Sequence, residues 1–157
     1  MTRDARFTAA LAELGHELEP VLTAGGNYIT ARQHGDIVYV AGQIPKDING
    51  IAFTGRVGAD VSVNTAQKAA ALCALRALAA VKELAGSLDR IDSVLRLSVF
   101  IQSTEGFAQH SEVGDGASNL LTNVLGDAGR HPRTSVGMNS LPKNVPVEID
   151  MTVALKR

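Results

Sequence analysis

The chain has 157 residues, of which 45% are hydrophobic and 4% aromatic, and its formal net charge is -1. This length and apolar content suit one domain, residues 1–157, with a full and mainly aliphatic core. The charge balance offers no electrostatic footprint for nucleic acid, and no apolar run is long enough to cross a bilayer. The N-terminus lacks a secretory apolar segment, and a single cysteine excludes an intramolecular disulfide. We therefore expect a cytoplasmic protein with no membrane or nucleic-acid partner.

The first third of the chain predicts a helix followed by a β-hairpin. Four apolar residues are spaced for one face of that helix: Phe7, Leu11, Leu14 and Leu18. Residues 28–33 and 37–43 read as the two strands of the hairpin. The segment IVYVAG at 37–42 is apolar on both strand faces, which predicts a central strand. The segment KDING at 46–50 predicts a turn.

The middle of the chain predicts one long helix. Ser62 or Asn64 can cap its start, and it should run to about Leu84 and end near Gly86. Its content of Ala, Leu and Lys is strongly helix-forming. Cys73 lies in the middle of this helix between apolar neighbours, which predicts a buried and inert core thiol.

The second half predicts a strand at 95–102, a helix at 107–125 and two final strands at 133–138 and 147–153. This order is typical of an α+β fold in which two long helices cover one face of a mixed sheet. The other sheet face then lacks cover, and an uncovered apolar face usually marks a partner interface. We therefore expect a homo-oligomer. The alternative is that the N-terminal segment folds over the second face.

The last two strands carry the most informative polar residues. Arg133, Ser135 and Gly137 fall on one face of the first strand, and Glu148 lies on the polar face of the second. If the strands are neighbours, a guanidinium and a carboxylate share one sheet surface. The guanidinium can bind a planar carboxylate with two hydrogen bonds, and the acid can orient water. The alternative is a surface ion pair, which is commoner.

Other chemistry has weaker support. No histidine has metal-ligand spacing with another histidine or a cysteine, so we expect no metal site. His131 neighbours Arg133, and we expect it to be a solvated loop residue. Gly114 and Gly116 match no phosphate-binding loop and predict packing or close backbone approach instead.

Four segments, in order, resemble the RidA family, also called the YjgF-like or 2-iminoacid deaminase family. These segments are GNY at 26–28, VAGQIP at 40–45, RTSV at 133–136 leading to LP at 141–142, and VEI at 147–149. The longer N-terminus and the phrase RHPRTSVG are more similar to a less characterised branch that is often labelled endoribonuclease-like.

The resemblance implies a chorismate-mutase-like fold and a homotrimer with three clefts between subunits. It also implies hydrolysis of reactive imines and enamines to 2-oxo acids and ammonia, without a cofactor. By position, Arg133 would bind the substrate carboxylate and Glu148 would position the attacking water. Tyr28 would close the cleft, and Gly42 with Gln43 would shape it. Ser135 would also contact the substrate.

Three positions depart from the family pattern. Ala41 stands where deaminases of the family usually carry Ser, Ser135 where many carry Cys, and Gly114 near the place of a family Asn. These changes keep the carboxylate clamp and alter the polar remainder of the pocket.

Three functions therefore compete. The first is a deaminase for 2-imino acids, and the second is a non-catalytic trimeric module that binds a small carboxylate. The third is a ribonuclease, which is suggested only by family labels. Arg133 serves the first two, whereas only catalysis requires Glu148 to hold water.

Overall fold

The computed structural model describes residues 1–157 and confirms the predicted α+β class. Its helices are α1 (Arg3–Leu14), α2 (Val63–Ala85) and α3 (His110–Leu125). Its strands are β1 (Ala31–His34), β2 (Ile37–Gln43), β3 (Lys46–Asp47), β4 (Gly50–Ile51), β5 (Ile91–Gln102), β6 (Arg133–Met138) and β7 (Val147–Leu155). None of the helices has the length and apolar character needed to cross a membrane.

Five strands form one mixed sheet in the order β1-β2-β7-β5-β6, and β3 pairs with β4 as a separate hairpin. The neighbours are antiparallel except β5 and β6, which run parallel. A parallel pair needs a crossover between its strands, and α3 supplies it. The middle strand is therefore β7, and β2, which contains IVYVAG, is an interior strand between β1 and β7, as the sequence predicts. Val38 and Val40 of β2 are buried, whereas Tyr39 between them is 54% exposed.

The helices all lie on one side of this sheet, as the sequence predicts. α2 packs against β7 and β2, α3 packs against α2 and β6, and α1 packs on α2 and α3. The apolar side chains between these layers form one contiguous core. Since α1 joins the helical layer, the N-terminal helix leaves the second sheet face without cover. We call this second face the open face.

Local chemistry explains the ends of the helices. The Ser62 hydroxyl accepts a hydrogen bond from the Thr65 amide and caps α2, and Gly86 ends this helix at a φ of 84°. α1 stops at Leu14 because Gly15 takes a left-handed conformation, so Leu18, which the spacing places in the helix, lies beyond its end.

Two strand predictions also need correction. The first hairpin strand is limited to Ala31–His34, while residues 28–30 form part of a loop. β5 begins at Ile91, four residues earlier than predicted, and has a bulge between Val94 and Arg96. The bulge changes the alternation, so Leu95 is 40% exposed and does not share the buried face of the later residues.

Candidate functional site

Glu148 lies on the open face of the sheet, near the start of β7. It is opposite Phe100 of β5, while its neighbours Val147 and Ile149 point into the core. Gly42 of β2 approaches the Glu148 carboxylate so closely that a Cβ at position 42 would overlap it. Burial, and to a lesser degree the charge of Asp150, raises the pKa of Glu148 above its ordinary value. A half-buried carboxylate of this kind is suited to holding water or exchanging a proton.

A cavity of about 490 Å³ opens beside Glu148. The residues 23–30 loop, the end of β2, the middle of α2 and the loop after β6 form its walls. The predicted site residues that line it are Tyr28, Gly42, Gln43 and Glu148. The structure thus brings together four of the six residues that the sequence singled out.

Two of these residues have clear structural supports. The Tyr28 hydroxyl accepts a hydrogen bond from the Gly25 amide at 3.2 Å, and the side chain remains 53% exposed at the cavity mouth. Gln43 is buried, and its Nε2 donates to the Ala41 carbonyl at 3.1 Å. This bond spans the irregular part of β2 where pairing with β7 shifts between Val40 and Gln43. The irregularity turns Gly42 toward Glu148.

The loop after β6 is held against the cavity by a buried amide. Gln102 Oε1 accepts from the Leu141 amide at 2.8 Å, and its Nε2 donates to Asn144 Oδ1 at 2.7 Å. Lys143, which lines the cavity, has a φ of 57°, an uncommon value for a residue other than glycine. Such conformations persist where the surroundings impose them, often at binding sites.

Arg133 lies elsewhere, on the helical side of the sheet beneath α3. Its Nη1 donates to Asp115 Oδ1 at 3.0 Å and to Ser118 Oγ at 2.9 Å. Its Nη2 donates to the carbonyl and the hydroxyl oxygen of Ser111, both at 2.9 Å. The guanidinium is thus anchored to α3 by both terminal nitrogens.

Gly114 allows this anchoring. A Cβ at position 114 would lie 2.6 Å from Ser135 Oγ and 2.8 Å from Arg133 Cζ. Ser135 is beside Arg133 on the same strand face, and its buried Oγ has no hydrogen-bond partner. Gly114 therefore packs against side chains of two of the predicted site residues, and a Cβ at Gly116 would overlap the Gln67 backbone of α2. Both positions agree with the prediction that this glycine pair marks packing or close backbone approach.

His131 supports Arg133 through Ser118. His131 Nδ1 lies 2.6 Å from the Gly129 carbonyl oxygen, so this nitrogen donates and Nε2 accepts from Ser118 Oγ at 2.9 Å. Burial lowers the pKa of His131, with a smaller lowering by Arg133 and an opposing effect of the Gly129 carbonyl. The prediction of a solvated histidine is wrong because the turn at 126–129 folds it onto α3.

Arg133 and Glu148 do not share a surface within one chain. β6 and β7 are not neighbours, since β5 lies between them. Arg133 is level with Leu97 and faces the helices, whereas Glu148 is level with Phe100 and lies on the open face. The predicted juxtaposition within one chain is therefore wrong. Its physical cause is the α3 crossover, which places β6 at the outer edge of β5.

Arg76 is a cavity residue that the sequence reasoning missed. It lies in α2, is only 3% exposed, and pairs with Glu19 Oε2 at 2.8 Å. Lys46 Nζ pairs with the other oxygen of the same carboxylate at 2.7 Å. Burial alone would raise the pKa of Glu19, but hydrogen bonds and charge from Lys46 and Arg76 lower it to about 2. A lone charge within the apolar run LCALRALAAV was the available signal.

The chain is similar in sequence and in fold to several known proteins. A sequence profile described as "YjgF/chorismate_mutase-like, putative endoribonuclease" matches residues 5–152. Protein TCP17 of Trypanosoma cruzi is 38% identical over 151 residues, or 96% of this chain and 94% of that protein. Among solved structures, a protein of unknown function from Agrobacterium tumefaciens is 43% identical with a TM-score of 0.88, covering 98% of this chain and 95% of its own. A Shewanella oneidensis protein with the same endoribonuclease description is 31% identical with a TM-score of 0.89, covering 99% and 100% of the two chains.

Proposed function

Because this chain belongs to the YjgF/chorismate-mutase-like family, we propose that it hydrolyses reactive 2-imino and enamine acids in clefts between the subunits of a homotrimer. The products would be 2-oxo acids and ammonia. Family membership by itself suggests a small-molecule-binding or endoribonuclease-like role. The choice of substrate and the assembly are therefore argued from the residues of this chain.

The observation that carries the proposal is the separation of Arg133 from the Glu148 cavity. A carboxylate clamp and a water-orienting acid can act on one small molecule only if they are close together. Within one chain they occupy opposite sheet faces and are divided by β5. A neighbouring copy that brings its own Arg133 to this cavity would complete the site.

The open face supports such an assembly. It carries exposed apolar side chains on several strands, among them Tyr39 at 54% and Val136 at 40% exposure. Exposed apolar side chains on a sheet face without intrachain cover are typical of an interface between subunits. We propose three copies in a closed ring, which would create three equivalent clefts.

The chemistry requires few groups. In the proposed reaction the Glu148 carboxylate accepts a proton as water attacks the imine carbon, and the proton then passes to the departing nitrogen. The resulting carbinolamine loses ammonia and leaves a carbonyl group. Arg133 of the neighbouring subunit binds the substrate carboxylate through its planar guanidinium. Since imine hydrolysis is intrinsically easy, positioning and one oriented water suffice.

A second candidate function is a non-catalytic trimer that binds a small carboxylate. The hydrogen bonds of Arg133 to Asp115, Ser111 and Ser118 favour this alternative, because both terminal nitrogens already have partners in their own subunit. A ligand carboxylate would then compete with Asp115. The ribonuclease reading has less support, since a net charge of -1 and 4% aromatic residues offer neither a phosphate track nor stacking surfaces.

The deciding assay couples the protein to an amino-acid oxidase or a serine dehydratase, which generates imines, and measures the release of ammonia and oxo acid. The wild type should accelerate release. Arg133→Ala and Arg133→Lys should both lower the specificity constant by about 30-fold, roughly 2 kcal/mol, because Lys offers only a point charge. Glu148→Gln should lower turnover while binding of 2-oxobutyrate persists.

The outcomes separate the candidates. Binding of 2-oxobutyrate without acceleration by the wild type would favour the non-catalytic module, and cleavage of RNA would favour the ribonuclease. Light scattering should give a trimer, and a monomer mass at micromolar concentration would refute the shared cleft. We propose the cytoplasm as the location, because the buried thiol of Cys73 suits a reducing compartment.

A further inference from the structure

Arg76 is a permanently charged residue in the wall of the Glu148 cavity. It is 3% exposed and is surrounded along α2 by Leu75, Ala77 and other buried apolar residues. An arginine cannot lose its proton in a protein, so its burial requires a matching charge and hydrogen-bond acceptors. The question is whether the chain supplies enough of them.

The chain supplies too few acceptors. Arg76 donates through Nη1 alone, to Glu19 Oε2 at 2.8 Å and to the Lys46 carbonyl at 3.1 Å. Its Nε is buried with no partner, and its Nη2 makes no hydrogen bond within the chain. Buried donors without partners are rare, and each one calls for an explanation. A ligand that accepts hydrogen bonds from Arg76 would provide one.

The charge balance around the cavity points to the same kind of ligand. Arg76 and Lys46 share the single carboxylate of Glu19, and Lys143 adds a third cation. Glu148 is the only acid that lines the cavity itself, and burial raises its pKa and so disfavours its charged form. The charges of Glu148 and Arg76 also act on the buried Cys73 thiol, since Glu148 raises its pKa and Arg76 lowers it. The cavity therefore has an excess of positive charge close to the proposed reaction centre.

We propose that Arg76 and Lys46 form a second anion-binding group, which selects ligands that carry a second carboxylate. The ligand class is that of 2-oxo and 2-imino dicarboxylic acids. This inference rests on the proposed function, in which Arg133 of a neighbouring subunit binds the first carboxylate.

The physical basis for selection is the cost of unpaired polar groups. A dicarboxylic acid would accept hydrogen bonds from Nη2 of Arg76, which has no partner within the chain, and would neutralise the excess charge. A ligand with an apolar side chain would exclude water from the same donors and leave them without partners. The difference in affinity between a dicarboxylic acid and a ligand with an apolar side chain should therefore be larger than their difference in buried apolar area alone would give.

The first test uses the wild-type trimer and needs no variant. Calorimetry should compare 2-oxobutyrate with the dicarboxylic acids oxaloacetate and 2-oxoglutarate. We expect at least one dicarboxylic acid to bind about tenfold more tightly or better. Equal affinities, or tighter binding of 2-oxobutyrate, would overturn the inference.

The second test separates this inference from the proposed function on which it rests. Arg76→Met should remove the preference for dicarboxylic acids, because it weakens their binding and removes the donors that 2-oxobutyrate leaves unpaired, whereas Arg133→Ala should weaken the binding of both classes. Arg130→Met is a matched control, since the Arg130 side chain is 81% exposed and forms an ion pair with the fully exposed Asp127. If Arg133→Ala changes neither affinity, the proposed function fails. Thermal unfolding shows whether Arg76→Met is folded. If the folded variant still prefers dicarboxylic acids to 2-oxobutyrate, Arg76 serves only to anchor Glu19.

Discussion

Arg133 and Glu148 lie on opposite faces of one sheet, with β5 between their strands. A functional pair that is split in this way can be rejoined only by another copy of the chain. The clearest test is complementation between two variants of low activity. Subunits with Arg133→Ala still carry Glu148, and subunits with Glu148→Gln still carry Arg133.

Co-expression of these two variants should restore activity in mixed trimers. With random mixing, roughly a quarter of the clefts would combine an intact arginine with an intact glutamate from a neighbour. Ammonia release by the mixture should therefore approach a quarter of the wild-type rate. As a control, each variant alone should keep only its low residual activity. If mass spectrometry shows mixed trimers but activity does not recover, Arg133 and Glu148 do not act together in one shared cleft.

Gly114 and Gly116 should respond differently to replacement by alanine. At position 114 the added methyl group meets the tips of Arg133 and Ser135, which can shift. Gly114→Ala should therefore lower ligand affinity several-fold with a stability loss of about 1 kcal/mol. At position 116 the methyl group overlaps the backbone of Gln67 in α2, which cannot move aside.

Gly116→Ala should thus cost about 2–3 kcal/mol in the free energy of unfolding, because it separates α2 from α3. Chemical denaturation measures the stability of both variants, and calorimetry with 2-oxobutyrate measures affinity. Unchanged affinity in Gly114→Ala would mean that the Arg133 position has no part in binding.

The raised pKa of Glu148 predicts a dependence of stability on pH. Since the folded state favours the protonated acid, it binds more protons than the unfolded state at a pH above the ordinary value of 4.5. The contribution of this residue to stability therefore falls as the pH rises through the raised folded pKa. In Glu148→Gln the side chain cannot ionise, so this variant does not lose stability in this way as the pH rises.

Thermal unfolding should be measured between pH 4 and pH 8 for the wild type and for Glu148→Gln. Their stabilities should be most similar at low pH, and the advantage of Glu148→Gln should grow as the pH rises. Asp150→Asn should reduce the dependence in part, because Asp150 is the secondary cause of the shift. Parallel curves for wild type and Glu148→Gln would contradict the assignment of this buried charge.

Glu19 should show the opposite dependence. Lys46 and Arg76 hold its pKa at about 2, so its contribution is fully present above its ordinary value of 4.5 and is lost as the pH falls toward 2. Glu19→Gln should destabilise the neutral protein by roughly 1–3 kcal/mol and reduce this acid sensitivity. Urea denaturation at pH 7 and pH 3.5 would measure both effects, and a larger loss at pH 3.5 than at pH 7 would refute them.

Cys73 should be structural. Its side chain is fully buried, its Sγ contacts the Val147 carbonyl at 3.6 Å, and burial, aided by Glu148, raises the pKa of the thiol. Cys73→Ala should lower stability by about 1 kcal/mol and leave any activity nearly unchanged. A loss of turnover in a protein with the wild-type unfolding curve would instead assign the thiol a chemical role.

The amino-acid sequence by itself determined the features that depend on neighbours along the chain. The long helix α2 between Ser62 and Gly86 follows from its cap, its composition and its terminal glycine. The alternation of β7 and the family membership could likewise be predicted, because both depend on local patterns. The predicted packing or close backbone approach at Gly114 and Gly116 also agrees with the structure.

Only the tertiary structure decided which of these elements meet. The pairing of β5 with both β6 and β7 depends on contacts between distant residues, so period-two alternation could not exclude a β6–β7 pair. That pairing moved Arg133 away from Glu148 and placed it beneath α3. The segment of residues 15–30 packs on α2 and brings Glu19 to Arg76. Arg76, a charged residue in an otherwise apolar helix, thereby forms part of the cavity wall. Burial and charge proximity exist only once the chain has folded, and they made Arg76 a candidate for selecting the ligand.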